Sequence, residues 1–167
     1  SESSTNCVDE EEIKKLSEMM KSIEKKYGND EVIDVMLNYK DKKCREQGID
    51  TYWNINLPSE NTIRKIDIVE MFGNLIDNAI EACQRMDVSK KYIKIETYFR
   101  ANFWIITVEN SKNLSENPVK SGFKTRKKGE HGLGMKIVKR IVENYDGVIK
   151  YHDRGEIFEI ELMLNME

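Results

Sequence analysis

The chain has 167 residues, enough for one domain with a proper core and an appended helix. Charged residues make up 34% of it, but they leave a formal net charge of only −3, so there is no basic field of the kind that gathers nucleic acid. No apolar run nears the roughly 18 residues that cross a bilayer, and the start SESSTNCVDEEE has neither the basic nor the apolar part of a secretion signal.

Cys7, Cys44 and Cys83 are odd in number and far apart, which points to free thiols and away from a disulfide frame or a zinc site. A soluble, cytoplasmic chain without a nucleic-acid partner is the expectation.

Ile13, Leu16, Met20, Ile23 and Tyr27 recur at spacings of three and four, predicting one amphipathic helix that stops at Gly28. Asn29 reads as the N-cap of a second helix running from Asp30 to about Gln47 and closed by Gly48. TYWNIN at 51–56 alternates as a strand does, and Pro58 ends it. Asp67 and Glu70 have capping-box spacing, so a third helix is expected from about Ile68 to Met86. YIKIETYFR and FWIITVEN, separated by Ala101 and Asn102, predict an antiparallel hairpin.

Residues 111–132 are polar and almost without apolar periodicity, and a loop of that length is expected to be a lid that stays mobile until a ligand engages it. A last helix carries Leu133, Ile137, Val138, Ile141, Val142 and Tyr145 on one face and stops at Asp146 and Gly147. Two strands, VIKYH and EIFEIELML, flank the turn DRG.

The third helix has an unusual polar face. Ile68, Val69, Phe72, Leu75, Ile76, Ala79, Ile80 and Cys83 fall within one arc that must pack on a sheet, while Glu70, Asn74, Asp77, Asn78, Glu81 and Arg85 gather opposite. Charged residues there fit an ordinary solvated face, but asparagine is a poor helix former, and two of them one turn apart cost a few tenths of a kcal/mol each without a packing return. A carboxamide oxygen is a neutral hard ligand suited to Mg²⁺. Downstream, Gly132 and Gly134 open the last helix just after Lys120, Lys124, Arg126, Lys127 and Lys128, an arrangement suited to phosphate, although glycines at a helix start more often serve packing alone.

NLIDNAIEA resembles the N box, and HGLGMKIV the glycine-rich G2 box, of the ATP-binding catalytic domain of sensor histidine kinases, a member of the GHKL superfamily that includes gyrase. The likeness covers roughly residues 30–165. It implies an α+β fold, the two-layer Bergerat sandwich: a mixed, mainly antiparallel sheet with three helices on one face, preceded by an N-terminal helix.

It also implies ATP and Mg²⁺ as cofactors, with Asn74 and Asn78 catalytic and Asn78 the metal ligand. The nucleotide would be held by Asn78, Asn110, Lys124, Thr125, Lys127, His131, Gly132, Leu133 and Gly134. Most relatives place an aspartate of a D-x-G-x-G motif where this chain has Asn110, followed by Ser111 and no glycine pair. An asparagine oxygen still accepts from the adenine amino group, but without charge.

The combination of NAIEA, VENS and HGLGM looks most like the Gram-positive peptide-pheromone receptor kinases of quorum sensing. On that resemblance, residues 1–28 hold a tail and part of the phosphoacceptor hairpin, and 29–167 form the catalytic domain with a lid at 111–131. Only His131 and His152 are present, and neither stands on an acceptor helix, so the phosphorylated histidine is expected upstream. The implied partners are that upstream hairpin and a response regulator, in a membrane-anchored homodimer. A nucleotide-binding regulatory module without phosphotransfer and a serine kinase of the anti-sigma-factor type remain as alternatives.

Overall fold

The computed structural model describes residues 10–21, 23–87, 90–123 and 132–167. Its elements are α1 (Glu10–Lys21), α2 (Glu31–Glu46), β1 (Ile49–Asn54), α3 (Lys65–Gln84), β2 (Lys91–Arg100), β3 (Phe103–Ser111), α4 (Leu133–Asn144), β4 (Val148–Asp153) and β5 (Ile157–Asn165). The five strands are ordered β1-β2-β3-β5-β4. Only the β1–β2 pair is parallel; the other neighbours run antiparallel.

Alternation along the strands decides which face is covered. Phe158, Ile160, Leu162 and Leu164 of β5 are buried, whereas Glu159 and Glu161 between them point the other way. Helices α2, α3 and α4 cover the apolar face, giving the mixed, mainly antiparallel two-layer sandwich that the sequence motifs imply. The centre of the core is α3 against the sheet: Phe72, Leu75, Ile76 and Ile80 meet Ile93, Ile95, Trp104 and Ile106, each fully buried or nearly so. At about 1.5–3 kcal/mol per buried large side chain, this stripe is the main reason α3 is helical and lies on the sheet. Cys44 and Cys83 are free thiols inside this core, and burial pushes the Cys44 thiol up to about 12. Cys7 lies outside the described residues.

Three local readings of the sequence are corrected. The first helix ends at Lys21, not near Tyr27, because the chain after it is laid along α2. There the buried Asn38 and Asp34 serve the backbone: Asn38 Oδ1 accepts from the amides of Glu24 and Lys25 at 3.1 and 3.0 Å, and Asp34 Oδ1 from that of Tyr27 at 2.8 Å. Those bonds replace the helical ones.

The cap of α2 is Asp30, one residue later than expected, its carboxylate accepting from the amides of Val32 and Ile33. Asp67 caps nothing. The α3 helix begins at Lys65 with no side-chain cap, and Asp67, buried in its first turn, takes both arms of the Arg64 guanidinium at 2.9 and 2.8 Å and the Tyr145 hydroxyl at 2.6 Å. The guanidinium fork outcompetes backbone amides for a carboxylate, and the tyrosine ties the start of α3 to the end of α4.

The Arg64 guanidinium, against the opposing effect of burial, holds the Asp67 carboxyl below the usual carboxylate range. A depressed native pKa stabilises the fold at every pH above the unfolded value of about 4, and that contribution is lost as pH falls through the native value. Asp67→Asn is expected to cost about 1–3 kcal/mol at pH 7 and to flatten the acid limb of the stability curve. Urea denaturation from pH 2 to pH 7 checks both.

Candidate functional site

The polar face of α3 looks into two cavities that share a wall. The first, about 250 Å³, is lined among the described residues by Asn74, Asp77, Asn78 and Glu81 of α3, by Phe123, and by the start of α4 from Gly132 to Ile137. The second, about 340 Å³, lies further along α3. Asn78, Ala82 and Arg85 face Asn110 at the end of β3, Phe158, and the loop holding Ser115–Pro118 and Ser121. Asn78 and Phe123 belong to both, so the two form one elongated cleft.

The α4 end is shaped by absent side chains. Gly132 takes φ +72°, a conformation that disfavours any Cβ, and a Cβ there would also stand 2.7 Å from the Gly122 carbonyl oxygen. Gly132 offers no side chain to cap α4, so the first-turn amides and the positive helix end face the first cavity. A Cβ on Gly134 would come within 2.7 Å of Asn74 Oδ1. Glycine is therefore what lets α4 begin directly against the carboxamide of Asn74, whose Nδ2 is committed to the Glu70 carbonyl at 2.7 Å. At the far end of the cleft Asn110 is buried, its Nδ2 donating to the Ser111 carbonyl at 3.0 Å. That bond fixes the amide and leaves Oδ1 as its acceptor.

Charges on the cleft wall are compensated from neighbouring elements. Lys40 of α2 reaches Asp77 at 2.5 Å, and Arg85 holds Glu116 at 3.0 Å. Glu70 faces away from both cavities and pairs with Arg140.

The structure thus brings together Asn74, Asn78, Glu81, Gly132, Leu133 and Gly134 in the first cavity, and Asn78 with Asn110 in the second. Lys124, Thr125, Lys127 and His131 lie outside the described residues. His152 is half-buried on β4. Leu133 is half exposed in place of packing in the core, and Met135 takes the buried position expected of it.

The expectation of a lid without apolar anchors is also corrected, because Phe123 is buried with its ring 5.4 Å from Tyr151 and 6.1 Å from Phe158. Phe123 and Lys112 were both passed over in the sequence. A lone aromatic after a glycine in a polar run was the available signal for Phe123.

Gly73 of α3 and Gly134 of α4 make opposite predictions. Gly73→Ala, where a Cβ meets nothing within 4 Å, is expected to raise stability by up to about 1 kcal/mol through helix propensity. Gly134→Ala is expected to lower it by about 1–3 kcal/mol through overpacking against Asn74. Chemical denaturation of the two variants reads the difference in sign.

Comparison with known proteins agrees with this architecture. Residues 63–165 match the family model described as GHKL domain. Sensor protein CitS of Halalkalibacterium halodurans is 28% identical over 140 residues, covering 77% of this chain and 25% of that protein. Sensor histidine kinase NatK of Bacillus subtilis is 25% identical over 130 residues, covering 74% of this chain and 41% of that protein. The chain therefore spans about a quarter of the first of these relatives and two-fifths of the second. Among solved structures, the nucleotide-free catalytic domain of histidine kinase ThkA superposes with a TM-score of 0.63 at 25% identity, over 81% of this chain and 91% of that one. Fold, family model and relatives converge: the chain belongs to the GHKL family, as an ATP-binding domain of the sensor histidine kinase type.

Proposed function

We propose that this domain binds ATP with Mg²⁺ in the α3 cleft and transfers the γ-phosphoryl group to a histidine on a separate, upstream helix pair. The observation that carries the reading is the polarity of the cleft along its length. A fixed carboxamide acceptor, Asn110, stands in one cavity, and the uncapped glycine start of α4 in the other, with Asn78 common to both. An adenine amino group suits the first end and a polyphosphate the second.

The residues fit a magnesium ion that arrives with the nucleotide. Asn74 and Asn78 offer neutral oxygen ligands, and among the described residues no cluster of three His, Cys, Asp or Glu could hold a metal unaided. A hard cation held here by carboxamide oxygens would need further oxygen donors from the ligand and water, and would supply charge neutralisation to the phosphates. The chain's own part is positioning. Asn78 orients the middle of the ligand, the α4 amides receive phosphate oxygens, and Lys40 keeps Asp77 from repelling them. Asn74 stands one turn before Asn78, where gyrase-type relatives use a glutamate to activate water. A carboxamide cannot take a proton at neutral pH, so hydrolysis is expected to be slow.

The remaining assignments rest on the family resemblance. Residues 1–28 as part of an acceptor hairpin fit the exposure of Ile13, Leu16 and Met20 on α1, a seam left without a partner among the described residues. A response regulator as downstream acceptor, a homodimeric and membrane-anchored parent protein, and membership of the quorum-sensing receptor group belong to the same reading. Among the described residues no helix is long and apolar enough to cross a membrane.

Asn78→Ala is expected to weaken Mg²⁺-dependent binding of an ATP analogue about tenfold, equivalent to roughly 1.4 kcal/mol, which calorimetry measures. With γ-labelled ATP, the chain should not label itself but should pass an acid-labile, base-stable phosphate to an added helix pair bearing histidine. Acid-stable self-labelling would turn the case toward the serine kinase, and tight ATP binding without any transfer toward the regulatory module.

A further inference from the structure

Lys112 carries its ammonium into the interior. The side chain is 0% exposed, and Nζ is surrounded by four oxygens: the Glu116 carbonyl at 2.7 Å, the Asn113 carbonyl and Asp153 Oδ1 at 3.2 Å each, and the Gly155 carbonyl. An ammonium has three protons, so this cage holds more acceptors than the lysine can serve individually, which is the environment of a small bound cation.

The cage joins the loop after β3 to the β4–β5 turn. Asn113 and Glu116 belong to the loop that walls the second cavity, and Asp153 and Gly155 to the β4–β5 turn, where the Lys112 amide also donates to the Glu156 carbonyl at 2.9 Å. The same loop is held from its other side by α3. Asn113 Nδ2 donates to the Arg85 carbonyl at 2.8 Å, and the Glu116 carboxylate takes the Arg85 guanidinium. Lys112 itself does not line the cleft. It stands two residues after Asn110, where the glycine pair of the usual motif is missing.

A loop of glycines would conform to a ligand, whereas this one is held in shape before any ligand arrives. Burying an ammonium is costly unless every proton finds an oxygen, so the cage and the lysine enforce each other.

We propose that Lys112 is a positioning residue for the nucleotide, a tethered cation that locks the wall formed by residues 113–118 onto the β4–β5 turn and thereby fixes the adenine end of the cleft. The proposal rests on the ATP-binding reading above. It makes the adenine end preorganised, so losing the cation should weaken nucleotide binding while leaving the transfer step at saturating ATP intact.

The test compares Lys112→Ala with Leu164→Ala, a core truncation at the opposite end of β5 from Phe158, each measured for ATP-analogue affinity by calorimetry and for hydrogen exchange. Lys112→Ala is expected to lose affinity about tenfold, with kcat in transfer to the helix pair within about twofold of the unsubstituted chain. Exchange at 113–121 should rise while β2 and β3 stay protected, and ammonium or potassium ions should restore affinity where tetramethylammonium does not. Leu164→Ala should lower the melting temperature without changing affinity. If Lys112→Ala does not fold, Asp153→Asn, which weakens the cage at its half-exposed corner, should lose affinity about threefold.

Unchanged affinity in the folded variants overturns the proposal, and so does a loss in Leu164→Ala that matches the Lys112→Ala loss at equal stability. Absence of ATP binding by the unsubstituted chain overturns the ATP-binding reading itself, a result distinguishable because it precedes any substitution.

Discussion

One helix with two incompatible faces governs the molecule. The apolar stripe of α3 must be buried, and it is, over the middle of the sheet against Trp104 and the strand residues around it. The opposite face carries two asparagines, three acids and an arginine, which no core can accept. The surrounding elements resolve the conflict by standing off from it. The start of α4 on one side and the loop after β3 on the other come close enough to enclose the polar face but not to cover it, and the gap is the cleft. The site is therefore a by-product of how α3 is buried, and a substitution that rotated α3 would remove fold and site together.

Electrostatics follow the same layout. Carboxylates on a wall that receives polyphosphate would repel it, at an energy that grows as the site is shielded from water. The chain answers from neighbouring secondary structure. Lys40 comes from α2 to Asp77, and Arg85 and Glu116 neutralise each other across the second cavity. Each such pair joins two elements, so charge balance in the cleft and packing around it are maintained by the same contacts.

Much of this was legible in the sequence, because periodicity reports burial directly. The strands, the hairpin, α3 and α4 follow from spacing two or spacing three-and-four, and the pairing of NLIDNAIEA with HGLGMKIV led to the fold. What escaped depended on contacts between residues distant in sequence. Asp67 has the spacing of a cap, yet it serves Arg64 and a tyrosine 78 positions away. The first helix looked longer than it is because Ile23 and Tyr27 keep its rhythm, while Asp34 and Asn38 of α2 bind the backbone that leaves it. Lys112 was invisible for the same reason: a lysine in a polar loop reads as solvated until four oxygens are found around it.

The close approach of Gly122 and Gly132 has a consequence for how such a domain can diverge. Their backbones meet, leaving no room for a Cβ between the Gly132 α-carbon and the Gly122 carbonyl. Whatever path the chain takes from one to the other, it leaves and re-enters at a single point, as a closed ring does. The entropy of closing a ring rises only with the logarithm of its length, about 0.6 kcal/mol for each doubling. Beyond the buried Phe123, the segment between the two glycines can therefore lengthen or shorten at little thermodynamic cost to the sandwich. The neck at Gly132 is where a side chain is excluded, and the length of the stretch it closes is what a lineage is free to vary.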